Sequence, residues 1–124
     1  MSVLWVLALL AALQVKHMFA DFWWQTPWML ANKGRWGHPG GLAHAGLHAG
    51  MSLLLMLTFG VALSLALLGA VFECAVHYHI DWAKARYSLA KGHTCEEDGY
   101  WRAVGLDQLA HHLTYLAMLV AVAA

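Results

Sequence analysis

Four polar pairs interrupt the apolar sequence: His17/Asp21, His44/His48, His77/Asp81 and Asp107/His111. The members of each pair are four residues apart. On a helix that spacing puts both side chains on one face, one turn above the other. Imidazole and carboxylate are common ligands of divalent metals. A cation would compensate such groups in apolar surroundings, since it binds carboxylates deprotonated and imidazoles neutral. The pattern predicts a metal centre built from His17, Asp21, His44, His48, His77, Asp81, Asp107 and His111. These five histidines and three aspartates exceed what one tetrahedral zinc uses. They fit two ions, or one ion with outer carboxylates that orient its histidines. The expected cofactor is one or two divalent ions, zinc first, with iron or manganese as alternatives. The competing reading is a set of His/Asp clamps that hydrogen-bond helices together.

Neighbouring residues extend the pattern. Gln25 follows Asp21 by four residues, Lys84 follows Asp81 by three, and Gln108 adjoins Asp107. Gln25 and Gln108 are expected to bind substrate, with Gln108 pointing about 100° away from Asp107. Asp81, Asp107 and Lys84 are the expected catalytic groups: a metal-free carboxylate as general base, and Lys84 facing a developing oxyanion. The bland alternatives are a helix-end amide for Gln25 and a snorkelling lysine for Lys84. His79 and His112 fall off the ligand faces, and His38 and His93 fall in loops. No glutamate is expected on those faces. Gly46, Gly50 and Gly60 are expected to permit close helix approach.

The elements that must position these residues are apolar helices. The chain is 124 residues long, one domain over residues 1–124, 61% hydrophobic and 11% charged. Soluble domains carry about a quarter charged residues, so lipid is the natural solvent. Zero formal net charge gives no electrostatic argument for a nucleic-acid partner. Cys74 and Cys95 have no CxxC neighbour and are expected to be free thiols. The expected fold is all-α: an integral membrane bundle of four transmembrane helices with a short interfacial helix after the first. The first span covers about residues 2–26. It lacks the basic segment that opens a signal peptide. Thr26-Pro27 suits an N-cap and first turn for the interfacial helix over PWMLANK. The second span is expected from Leu42 to Leu68, the third from Gly69, and the fourth from Trp101 to the C-terminus. Lys33, Arg35, Lys84, Arg86, Lys91 and Arg102 fall at one end of this bundle, so that end should be cytoplasmic with both termini outside. Trp23, Trp24, Trp28, Trp36, Trp82 and Trp101 form an aromatic belt at the same end. In this topology all four polar pairs come to about one depth. Ionisable residues inside a membrane face the bundle interior and mark functional sites by default.

The stretches HMFADFWWQTPWMLANK, HAGLH, HYHIDWAK and LDQLAHH resemble the DUF3307 family of small bacterial membrane proteins. Its pattern runs H-x-x-x-D-F-x-x-Q-T, H-x-x-x-H, H-x-x-x-D-x-x-K and D-Q-x-x-H. His17, Asp21, Gln25, His44, His48, His77, Asp81, Lys84, Asp107, Gln108 and His111 occupy its positions. The resemblance covers nearly the whole chain and implies a multi-helix protein of the bacterial inner membrane. It implies no activity. The residues themselves favour metal-dependent hydrolysis of a lipid or lipid-linked substrate near the cytoplasmic face. HAGLH and QLAHH also resemble two histidine boxes of membrane desaturases, which keeps a di-iron oxidase as an alternative. A third reading is a non-enzymatic metal-binding or structural subunit. The bilayer, a lipid-linked substrate, and a homo-oligomer or larger membrane complex are the expected partners. No Gly-x-Ser-x-Gly elbow supports a serine mechanism.

Overall fold

The computed structural model describes residues 1–124. It is all α-helix: α1 (Val3–Phe22), α2 (Pro27–Asn32), α3 (Pro39–Thr58), α4 (Leu63–Lys91) and α5 (Asp98–Ala123). The four long helices close into a ring in which α1 packs on α3 and α5, and α4 packs on α3 and α5. The short α2 lies against α3. Its start follows the local chemistry of Thr26-Pro27. The Thr26 hydroxyl accepts from the Met29 N–H at 3.2 Å, and Pro27 occupies the first turn, where no N–H is needed.

Two boundaries differ from the sequence reading. The first helix ends at Phe22, not near residue 26. The second and third helices divide at residues 59–62, not at 68/69. Gly60 makes that turn. Its φ of +82° is left-handed, which glycine adopts without steric cost, and Val61 N–H closes back onto the Met56 carbonyl at 2.9 Å. Trp5 Nε1 donates to the Phe59 carbonyl at 3.0 Å and ties α1 to the turn. Gly60 therefore shapes a turn and does not thin a helix contact. Gly46 and Gly50 face open space, where a Cβ would meet nothing within 4 Å. The close approach of α3 and α4 falls instead at Gly69, whose missing Cβ would sit 3.1 Å from Met56 Cε.

Three helices, not four, are long and apolar enough to cross a membrane: α1, α3 and α4. Asp107, Gln108, His111 and His112 dilute the apolarity of α5. Only 26 of the 124 residues are buried, and exposed leucines, valines and tryptophans run along the outer faces. That distribution suits lipid as solvent better than water.

The bundle is layered along its length. Leu9, Leu13, Met56, Val61, Ala66, Met118, Leu119 and Val122 fill one half with an apolar core. Met1 and Val122 line a cavity with the α3–α4 turn, so both termini lie at that end. The polar pairs occupy the other half, beside the exposed Trp23, Trp24, Trp28, Trp36 and Trp101.

Candidate metal centre

The last turns of α1, the first half of α3 and the middle turns of α4 and α5 direct His17, Asp21, His44, His48, His77, Asp81 and His111 into one buried cluster, with Asp107 at its edge. Each of the five histidines is at most 2% exposed. Two carboxylates are the hubs. Asp21 Oδ1 lies 3.1 Å from His44 Nε2 and 2.9 Å from His48 Nε2, and its Oδ2 lies 3.0 Å from His17 Nε2. Asp81 Oδ1 lies 3.1 Å from His111 Nε2. Its Oδ2 faces Lys33 Nζ at 3.1 Å, His77 Nε2 at 3.2 Å and His44 Nε2 at 3.4 Å. All five imidazoles thus turn the same ring atom, Nε2, toward the carboxylates.

The rings are close enough to restrict their charge. The His77 ring centroid is 3.9 Å from that of His48 and 4.1 Å from that of His111. Protonating neighbouring rings together would set like charges against each other in low dielectric. A divalent ion is a more compact source of positive charge among neutral rings. Two groups have ligand atoms mutually within 4.8 Å: Asp21, His44, His48 and His77, and His77, Asp81 and His111. His77 belongs to both, but its one Nε2 lone pair can serve one ion at a time. That nitrogen is near Asp81 yet too poorly aligned to hydrogen-bond, and Asp107 Oδ1 is likewise buried without a hydrogen bond. Unpaired buried lone pairs of this kind are what a cation would satisfy.

A second polar layer lies beneath the cluster, and sequence reading missed it. Lys16 Nζ donates to Glu73 Oε1 at 2.5 Å, to the Tyr115 hydroxyl at 3.0 Å and to the His48 carbonyl at 3.2 Å. The Tyr115 oxygen is also 2.9 Å from His17 Nδ1. If it accepts the Nδ1 proton, His17 is left with a free Nε2 lone pair for a metal. Glu73 overturns the expectation that no glutamate shares the ligand faces, because it stands one turn before His77 on α4. Its Oε1 pairs with Lys16 and so supports the cluster from below, while its Oε2 is buried without a partner. Lys33, read from the sequence only as a charge near the membrane surface, reaches Asp81.

The remaining predicted residues are placed as follows. Gln108 does not point away from Asp107. Its amide Nε2 donates to Asp107 Oδ2 at 3.2 Å and Asp21 Oδ2 at 3.3 Å, and its Oε1 is 3.1 Å from His17 Nε2. It joins the two ends of the cluster. Gln25, just past the end of α1, donates to the Asp21 carbonyl at 2.9 Å, and its Oε1 is buried without a partner. Lys84 lines a cavity with Asp81, Asp107 and Lys33. His79 bonds the Ala75 carbonyl on the outside of α4. His38 caps α3, accepting from the Gly40 N–H at 3.0 Å. His112 is half-buried, its ring centroid 5.6 Å from that of His17.

Comparison with curated proteins and with solved structures gives no match. The family model described as "Protein of unknown function (DUF3307)" matches residues 9–124, nearly the whole chain, so the protein belongs to the DUF3307 family.

Proposed function

We propose that this chain is a membrane-embedded, metal-dependent hydrolase acting on a lipid or lipid-linked substrate at headgroup level. The convergence of five buried Nε2 atoms on two carboxylates carries the reading. Three aspartates gathered at the cluster against one paired lysine, Lys33, make a carboxylate-rich site whose charge a divalent ion would offset. Asp21, His44 and His48 form one half of the donor set, Asp81 and His111 the other, and His77 can join either. Mixed imidazole and carboxylate donors suit zinc, with iron or manganese as alternatives. A bound ion of this type acidifies a coordinated water and polarises the bond to be cut.

The chain's own residues supply the rest. Asp107, with one unpaired oxygen at the cavity edge, takes up a proton from the attacking water. Lys84 faces the charge that develops on the substrate. Lys33 and Gln108 hold Asp81 and Asp21 in place. An oxidative di-iron reading has less support, because the nearby glutamate, Glu73, is committed to Lys16.

In this reading α5 is a fourth span despite its diluted apolarity, since its polar residues Asp107, Gln108 and His111 turn toward the cluster and Leu106, Leu109, Leu113 and Leu116 turn outward. The lysines and tryptophans at the site end support an orientation with that end at the cytoplasmic face of a bacterial inner membrane and both termini outside. Elemental analysis of protein purified in detergent tests the central point. Near-stoichiometric zinc, one or two per chain, is expected. Protein that carries no metal after supplementation would overturn the reading.

A further inference from the structure

Two cavities meet at the edge of the candidate metal centre. The first, about 310 Å³, is bounded by Lys33, Gly34, Asp81, Lys84, Ser88 and Asp107, between the C-terminal end of α2 and the α4/α5 pair. The second, about 400 Å³, runs between α4 and α5 over Ile80, Ala83, Tyr87 and Leu106, with Arg102 also at its wall. Lys84 and Asp107 line both, so the polar cavity and the more apolar groove adjoin at those two side chains.

The two spaces differ in chemistry. Lys33 is bound to Asp81 at 3.1 Å, and that pair is close to neutral in sum. Lys84 forms no ion pair within 4.0 Å, although it shares the cavity wall with Asp81 and Asp107. Ser88 adds a hydroxyl at the same wall. Lys84, Lys33 and Ser88 together present several donors to one ligand with several acceptor oxygens. A phosphate fits that demand, because its oxygens can take ammonium and hydroxyl donors at once. Asp81 and Asp107 would repel an anion unless a cation offsets them, so this inference rests on the metal reading of the site. The groove has a different lining. Leu106 is 68% exposed and Tyr87 46%, on helices whose outer faces are apolar. An acyl chain would cover that surface while its headgroup stayed at the level of the exposed Trp28, Trp36 and Trp101.

We infer that this pair of cavities binds a phosphate carried on an acyl chain, the phosphate at Lys84 and Lys33 and the chain in the α4/α5 groove. The ligand class is a phospholipid or another lipid phosphate. Free inorganic phosphate would use the first cavity alone and bind more weakly.

The test is equilibrium binding of dodecyl phosphate, dodecanol and inorganic phosphate to the full chain in neutral detergent, followed by tryptophan fluorescence. Metal content is measured on the same samples. Dodecyl phosphate should bind most tightly. Lys84→Met should weaken it by about tenfold or more, the size expected for a lost hydrogen bond to a charged group, and Lys84→Arg should restore most of the affinity. Leu106→Trp, which fills the groove, should weaken dodecyl phosphate and leave inorganic phosphate unchanged. Equal affinity of wild type and Lys84→Met for dodecyl phosphate would overturn the inference, as would dodecanol binding as tightly as dodecyl phosphate. Inorganic phosphate binding as tightly as dodecyl phosphate would remove the groove from it. Protein that takes up no metal after supplementation would sink the metal reading and, with it, this inference. Metal-loaded protein indifferent to Lys84→Met would sink this inference alone and leave the metal reading standing.

Discussion

Asp81 has four partners on two oxygens: Lys33, His44, His77 and His111. Asp81→Asn keeps the size and much of the hydrogen bonding but removes the charge that would hold a cation. As a clamp, Asp81 would lose little, since hydrogen bonds between membrane helices average about 0.6 kcal/mol. As a ligand, it should lose bound metal, and elemental analysis of the variant decides between the two. The Lys16–Glu73 pair obeys different physics. Both side chains are 2% exposed or less, so removing one strands the other as an uncompensated charge. Lys16→Met should cost about 3–5 kcal/mol, read as a lowered melting temperature in detergent. Changing both, Lys16→Met with Glu73→Leu, should recover most of that loss. If the double variant melts no higher than the single one, the pair is not the cause. These two residues were visible in the sequence but were not used. Glu73, Ser52 and Tyr115 each continue a polar pair by one further turn, to Glu73-His77-Asp81, His44-His48-Ser52 and Asp107-His111-Tyr115. Lys16, a charge in the middle of an apolar helix, needed a buried partner on physical grounds.

At the level of elements, legibility followed polar punctuation. The short α2 could be read because Thr26, Pro27 and Gly34 mark its ends with specific backbone chemistry. The α3–α4 boundary could not, because residues 53–72 are almost unbroken apolar sequence and a turn leaves no trace in their periodicity. Only Gly60 marks it, and one glycine in an apolar run fits a helix contact as well as a turn. The backbone conformation separates the two. Gly60→Val forces a branched side chain to φ +82° and should cost about 1–2 kcal/mol. Gly50→Ala, which meets open space within an existing helix, should be neutral or stabilising by up to about 1 kcal/mol. Thermal melting of the two variants side by side checks both signs. Equal destabilisation would mean that Gly50 is packed and Gly60 is not special. The sequence reading counted α5 as a fourth span, but only three helices are apolar enough to cross a membrane. The residues that lower the apolarity of α5, Asp107, Gln108 and His111, are those it contributes to the cluster.

For the whole molecule, the layering along the bundle sets its orientation. One end has the exposed tryptophans and Lys33, Arg35, Lys84, Arg86, Lys91 and Arg102, and the other has both termini above an apolar core. The common depth of the four polar pairs was legible because antiparallel helices of similar length convert chain position into height. Which pairs share a carboxylate was not legible, since that depends on the ring order of the helices and the direction each face points. An even number of spans is what returns the C-terminus to the side of the N-terminus. In the proposed topology, four spans and the positive-inside bias together would put the site end in the cytoplasm. The chain carries its own probe for this. Cys95 is exposed in the connection between α4 and α5 at the site end, whereas Cys74 is only partly accessible within α4. In a Cys74→Ala background, a membrane-impermeant maleimide should leave Cys95 unlabelled in intact spheroplasts and label it in inverted vesicles. A cysteine introduced at Ala124, with Cys95→Ser, should give the opposite pattern. If both positions label from the same side, α5 does not cross and the bundle has three spans. If Cys95 labels from outside and Ala124→Cys only from inside, four spans remain but the orientation is reversed, which would put the cluster and its lysine-lined cavity at the outer leaflet and make an externally facing lipid the one within reach.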